Sequence, residues 1–252
     1  MQNYCKTIGA LAAASALAAG NATAYDIDYE MTAGYTSEYL FRGFNLGQDL
    51  VEVELVAATE INGFALSAGA WYASFDSAAD LSGMGGPIGS ANDNELNLFA
   101  EVGYDLGFAE AAVGYIYYYY PQGTVNQAIA GRSKADQEVY FSLARDFGIV
   151  DVSLTHYWLT SGDDNDGYTE LAATNSTELN HCLSLESGVA AGYQVEKGKF
   201  AHITAQVGLA YAFTENATFT PFVAHSWSLS ENGIYAGTKN QLVGGAMVSV
   251  SF

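Results

Sequence analysis

The feature that most restricts the fold is an alternating segment that runs to the last residue. From Gly244 to Phe252, one face carries small and apolar side chains, and the other carries Gly245, Met247 and two serines. This alternation is the period of a β-strand. A strand at the end of a chain exposes unpaired backbone groups unless another strand covers it. The segment therefore predicts a sheet that closes on itself.

The N-terminus has the pattern of an export signal. Lys6 supplies a positive charge, residues 8–19 form a short apolar stretch, and Ala22-Thr23-Ala24 is a small-x-small cleavage site. We expect residues 1–24 to be a signal peptide and residues 25–252 to form one folded domain.

The rest of the chain is hydrophobic without a continuous membrane-spanning run. Half of the residues are hydrophobic, yet beyond the leader none of the apolar stretches reaches the roughly 18 residues of a membrane helix. Twelve alternating segments, joined by connections of alternating length, distribute the apolar residues instead. The fold class predicted is all-β, a transmembrane antiparallel up-and-down barrel of about twelve strands, with ten or fourteen as alternatives. Asn62-Gly63 predicts one tight hairpin, whereas Arg42-Gly43 and Leu46-Gly47 fall in a predicted long connection.

The acidic residues of the first four strands lie opposite the apolar ones. If the apolar face contacts lipid, these acids point into the lumen, because a charge in the bilayer core costs a few kcal/mol. They either solvate a closed, plugged lumen or line a water-filled pore that favours cations. We predict that the pore-lining residues are Asp28, Glu30, Arg42, Glu52, Glu54, Glu95 and Glu101.

Arg42 has two interpretations, which the sequence leaves open. It either forms a structural salt bridge with an inward carboxylate such as Glu38 or Glu52, or it sets the field at a constriction of the pore. The run Tyr117 to Tyr120, together with Tyr72, Trp158 and Trp227, predicts an aromatic girdle at the lipid headgroups. Rings of the run that point inward could instead form a platform for sugars.

Signals for other chemistry are weak. Asp163 and Asn165 resemble half of a calcium loop and are a candidate for weak Ca²⁺ binding; no other cofactor is expected. His225 and Ser226 are adjacent on one strand, so their side chains should point to opposite faces. Since no catalytic motif is found, we expect that the protein is not an enzyme. The formal net charge of −20 excludes nucleic acid as a partner.

The segment Thr36-Ser37-Glu38-Tyr39-Leu40-Phe41-Arg42-Gly43 carries a family likeness. It resembles the Ser-Asp/Glu-Tyr-x-Phe-Arg-Gly motif near the mature N-terminus of TorF-type porins, which are bacterial outer-membrane proteins. Asn45-Leu46 stands where that family often has Ser-Gln. The resemblance implies a porin-like channel and specifies no substrate.

The sequence thus predicts an exported protein of the Gram-negative outer membrane. We expect a porin-like channel for passive diffusion of small hydrophilic solutes, either cations or neutral molecules, with membrane lipid as the surrounding partner. The alternative is a closed barrel with a structural or surface-interaction role through its long extracellular loops. A homo-oligomer is compatible with either function, although no sequence feature marks a subunit interface.

Overall fold

The computed structural model describes residues 27–77, 92–121, 135–160, 167–229 and 240–252. Within these ranges, no helix has the length and apolar character needed to cross a bilayer. The strands are β1 Asp28–Phe41, β2 Phe44–Ile61, β3 Phe64–Ser77, β4 Asn92–Asp105, β5 Glu110–Tyr119, β6 Ala135–Asp146, β7 Asp151–Leu159, β8 Tyr168–Asn180, β9 Leu183–Gln194, β10 Lys199–Ala212, β11 Ala217–Ser228 and β12 Gln241–Ser251.

The twelve strands form a closed antiparallel barrel in which each strand pairs with its sequence neighbours. The last strand pairs with the first, from Glu30 opposite Ser251 to Thr36 opposite Gly245. Tyr29 and Phe252 extend this seam with two backbone hydrogen bonds of 3.0 Å, and their rings stack at 5.8 Å. The predicted closure and the twelve-strand fold are therefore confirmed.

The outer surface of the barrel is apolar. Alternate residues on the strands are exposed hydrophobic side chains, among them Met31, Val53, Leu98, Leu171 and Val207. The residues between them point inward, as the alternation predicts. A closed sheet with an apolar exterior satisfies its backbone hydrogen bonds internally, which is the condition for spanning a bilayer with strands.

The connections between strands differ from the prediction in two places. Asn62-Gly63 is a tight turn as predicted, with φ of 54° and 80°. The first connection, predicted to be long, is also a two-residue turn, formed by Arg42 and Gly43 with φ of 50° and 82°. Positive φ at both positions defines a type I′ hairpin, so both strands extend to the turn. β8 also continues through residues 177–178, where a turn was predicted, and ends at Asn180. Its pairing with β9 shifts register between Glu178 and Asn180.

The tip of the first hairpin leaves the barrel wall. β1 pairs with β12 only as far as Thr36, although it continues to pair with β2 to its end. The pairing of β2 with β3 begins at Gly47 and shifts register between Gln48 and Val51. Residues 37–46 are therefore held by their own two-stranded pairing, and we call this segment the inward hairpin.

Candidate functional site

The inward hairpin crosses the lumen and contacts the opposite wall. Both terminal guanidinium nitrogens of Arg42, Nη1 and Nη2, donate to Glu138 on β6, at 2.8 and 2.7 Å. Gly43 lies against His202 on β10, where a Cβ atom added to the glycine would be 2.7 Å from the histidine Cβ. β6 and β10 are five and three strands away from β1 around the barrel. The hairpin therefore spans the interior and narrows it.

Aromatic rings surround the guanidinium of Arg42. Its Cζ lies 4.4 Å from the ring centroid of Tyr157 and 4.7 Å from that of Tyr168. Phe41, from the hairpin itself, lies at 4.7 Å. Cation–π contacts of this kind strengthen when the pair is desolvated. The wall residues around Arg42 form what we call the arginine box: Tyr118, Glu138, Tyr157, Tyr168 and Glu170.

The near side of the hairpin packs on its own part of the wall. Tyr39 and Phe41 belong to an apolar cluster with Leu50 and Phe75, against which Trp71 also packs. The Tyr39 ring lies 5.0 Å from that of Phe75, edge to face. Apolar packing at the base and an ion pair at the tip thus hold the hairpin at both ends.

The lumen carboxylates receive hydrogen bonds from tyrosine hydroxyls. Four such pairs lie between 2.7 and 2.8 Å, with donor and acceptor on different strands in three of them. A buried carboxylate needs such donors because an unpaired charge is strongly disfavoured away from water. These pairs fix the positions of the negative charges. They are Tyr39 with Glu95, Tyr118 with Glu138, Tyr140 with Glu101, and Tyr168 with Glu170.

A cavity of ≈ 60 Å³ remains between the inward hairpin and the wall. Glu38 and Arg42 line it from the hairpin, and Trp71, His202 and Phe222 line it from the wall. A volume of this size holds roughly four to six water molecules. The cavity therefore has room for water beside carboxylate, aromatic and imidazole groups.

Hydrogen bonds join several polar side chains across the far wall. Tyr168 Oη lies 2.8 Å from His202 Nε2, and His202 Nδ1 lies 2.9 Å from Thr204 Oγ1. Thr204 in turn bonds Ser226 at 2.8 Å. This series connects β8, β10 and β11 and holds the imidazole firmly beneath Gly43.

The predicted pore-lining residues occupy several environments. Glu52 accepts from Trp71 Nε1 at 2.7 Å and is 7% exposed, while Glu95 is 2% exposed. Glu101 accepts from Tyr140, and Glu30 accepts from Thr32 at 3.3 Å. Glu54 is half-buried between outward-facing neighbours, and Asp28 is exposed at the end of β1.

Arg42 forms an inward salt bridge, but with neither predicted partner. Glu38 instead accepts a hydrogen bond from Asn45, and Glu52 is bonded by Thr36 and Trp71. The type I′ turn carries the guanidinium past both acids to Glu138. The structural salt bridge, one of the two interpretations of Arg42, is therefore present, and a role in setting the field of a pore constriction stays a prediction.

Part of the predicted aromatic girdle faces outward, and its position at the lipid headgroups stays a prediction. Tyr72, Trp158 and Trp227 are outward and 40–43% exposed, as a girdle requires. Tyr118, from the tyrosine run, points inward and is 6% exposed. Its ring packs edge to face on Phe41 at 6.2 Å, so the hairpin occupies the position proposed for a sugar.

Sequence reasoning missed the wall residues that receive Arg42. Glu138 on β6, and Tyr168 and Glu170 on β8, occupy the buried positions of the alternation, which places all three in the lumen. The alternation used for the first four strands would have identified them as lumen residues. The pairing of these residues with Arg42 depends on the path of the hairpin and has no local signal.

The sequence raised two other candidate sites. Asp163 and Asn165 lie outside the described residues, so Ca²⁺ binding there stays a prediction. Ser226 is inward and 1% exposed, whereas the ring of His225 packs on outward Trp227 at 4.5 Å. The two side chains therefore point to opposite faces, as predicted.

Comparison with known proteins shows similarity only in structure. No protein-family model matches the sequence, and no curated protein matches it either. An outer-membrane channel from Pseudomonas putida F1 superposes with a TM-score of 0.55 at 13% identity, over 90% of this chain and 95% of that one. The KdgM porin gives 0.52 at 12%, over 88% and 99%, and the CymD monoaromatic hydrocarbon channel gives 0.51 at 8%, over 90% and 88%. At these identities the likeness shows the fold, which is that of outer-membrane barrels.

Proposed function

We propose that this protein is an outer-membrane channel for passive diffusion of small hydrophilic solutes, with a preference for cations. The barrel would sit in the outer membrane with its apolar exterior in lipid. The inward hairpin would form the constriction. Membership of the TorF-type porin family is part of this proposal. The motif that carries the resemblance lies in the segment that forms the inward hairpin, and the hairpin is the proposed constriction.

The observation that carries the proposal is the charge of the lumen. Buried carboxylates come from four alternate strands, and one of them, Glu138, forms an ion pair with Arg42. A narrow passage of low dielectric with an excess of negative charge raises the local concentration of cations and repels anions. These inward acids are Glu52, Asp93, Glu95, Asp136, Glu138 and Glu170.

The structural neighbours support the same function. The superposed proteins include an outer-membrane channel, a porin and a hydrocarbon channel. The polar lumen found here favours a hydrophilic solute over a hydrocarbon, since an apolar molecule would leave buried carboxylates without water.

Swelling of proteoliposomes tests the proposal. Vesicles that contain the folded barrel should swell in isotonic solutions of small neutral or cationic solutes and stay stable in solutions of large oligosaccharides. Vesicles that contain heat-unfolded protein provide the background. Folded protein that produces no swelling with the smallest solutes would favour the closed barrel with a surface-interaction role.

A further inference from the structure

The contacts of Arg42 have the geometry by which proteins recognise a planar cation. Two parallel hydrogen bonds of 2.8 and 2.7 Å join the guanidinium to Glu138. The rings of Tyr157 and Tyr168 lie within 4.7 Å of its central carbon. A fork of two donors on a carboxylate, with aromatic faces beside it, selects guanidinium over the compact ammonium group.

The arginine box belongs to the wall and is positioned without the hairpin. Its members come from the consecutive strands β5 to β8. Tyr118 donates to Glu138 at 2.8 Å, and Tyr168 donates to Glu170 at the same distance. Of the rings around Arg42, only that of Phe41 belongs to the hairpin. The wall therefore keeps its carboxylates and ring faces in place when the guanidinium leaves.

The hairpin that delivers Arg42 is separable from the wall. Residues 37–41 of β1 pair with β2 and have no ladder to β12. A lone two-stranded hairpin is marginally stable in water, so its inward position depends on the contacts at its tip and base. A solute that takes the place of the Arg42 guanidinium removes the ion pair and the cation–π contacts of the tip.

We propose that the arginine box is a binding site for small solutes that carry a guanidinium group, with Arg42 as its built-in occupant. The inference rests on the proposed channel function, since it names the solute class that the lumen favours. Such a solute competes with Arg42 for Glu138 and the two tyrosine faces. Binding releases the hairpin tip and widens the passage that the solute uses.

Because Arg42 competes with the solute for the arginine box, we expect weak binding to the wild type and tighter binding to a variant without the arginine. A tethered competitor acts at an effective concentration on the order of millimolar. Arg42→Asn removes the guanidinium and leaves Asn-Gly, the preferred type I′ pair, in the turn. We expect this variant to bind methylguanidinium at least tenfold more tightly than the wild type.

Thermal unfolding of the folded barrel in detergent measures the binding, because a ligand of the folded state raises Tm. Millimolar methylguanidinium should raise the Tm of Arg42→Asn, and N-methylurea, its neutral counterpart, should leave the Tm unchanged. Arg145→Asn removes an arginine that stacks on Phe147, at the other end of the barrel, and should respond like the wild type. Adding Glu138→Gln to Arg42→Asn should abolish the response.

A second measurement uses the wild type and does not depend on the variant. Methylguanidinium should increase single-channel conductance in potassium chloride as it displaces the hairpin, and methylurea should have no effect. If the channel conducts, but methylguanidinium changes neither the Tm of Arg42→Asn nor the conductance of the wild type, this inference is overturned and the channel function stands. A silent barrel whose Arg42→Asn variant gains Tm with methylguanidinium retains the site and overturns the channel function.

Discussion

Replacing Gly43 with alanine should release the inward hairpin. An added Cβ atom would lie 2.7 Å from both the Cβ and the Cγ of His202. These atoms cannot move aside easily, because Tyr168 and Thr204 hold the imidazole at 2.8 and 2.9 Å. Overpacking of this kind costs about 1–3 kcal/mol, which shifts an equilibrium about 5- to 150-fold.

Gly63→Ala is the matched control for this substitution. Gly63 occupies the same position of a type I′ turn, with φ of 80° against 82° for Gly43. Its nearest neighbour would be a Tyr104 ring carbon at 3.9 Å. Both variants therefore carry the same backbone penalty of about 1–2 kcal/mol for alanine in the left-handed region. Only Gly43→Ala carries the additional contact with the opposite wall.

Trypsin cleavage after Arg42 reports the released hairpin. The Arg42 side chain is 14% exposed while it is paired with Glu138, so cleavage requires an open state, and its rate follows the population of that state. Each rate is divided by that of the same variant unfolded in urea, and the fragment that begins at residue 43 is identified by mass. We expect cleavage about 5- to 150-fold faster in Gly43→Ala than in Gly63→Ala. Equal rates would refute the docking of Gly43 on His202.

Three further predictions address the lumen and the seam. Gly114→Ala places a methyl group on the ring of Tyr140, whereas the methyl group of Gly103→Ala meets nothing closer than 3.5 Å. Thermal melts should show that the free energy of unfolding falls by about 1–3 kcal/mol for Gly114→Ala only. Equal melts of the two variants would contradict this packing. Deleting Phe252 removes two backbone hydrogen bonds and a stacked ring from the seam. The fraction of folded, heat-modifiable barrel on gels should therefore fall. The control Ile149→Ala, at an exposed turn, should leave this fraction unchanged. Joint replacement of Glu52 and Glu95 by glutamine removes two buried lumen charges, so the zero-current potential in a salt gradient should move toward zero; an unchanged potential would exclude these acids from the selectivity path.

The wall of the barrel could be predicted from the sequence because alternation has a period of two. Tyr29, Met31 and Tyr35 face out, and Glu30 and Thr32 face in, as their parity requires. A register error of one residue would expose the whole inward set to lipid, so the pattern fixes both faces at once. The pairing of β1 with β12 then follows from the need to cover both edges.

The path of the inward hairpin could not be predicted in the same way. Arg42-Gly43 looked like part of a long connection, because a non-glycine residue with positive φ is uncommon and arginine has no special preference for it. Its inward course depends on contacts between residues 96 positions apart, such as Arg42 with Glu138. Parity shows that Glu138 faces the lumen, but only the fold shows which side chain it meets.

The zero-current potential of the wild-type protein in a planar bilayer, under a gradient of potassium chloride, tests the central claim most directly. We expect defined conductance steps and a potential of the sign that marks preference for K⁺ over Cl⁻, and this potential should diminish at high salt as screening increases. A potential of the opposite sign, or a folded barrel that produces no steps, would contradict a lumen whose carboxylates select cations.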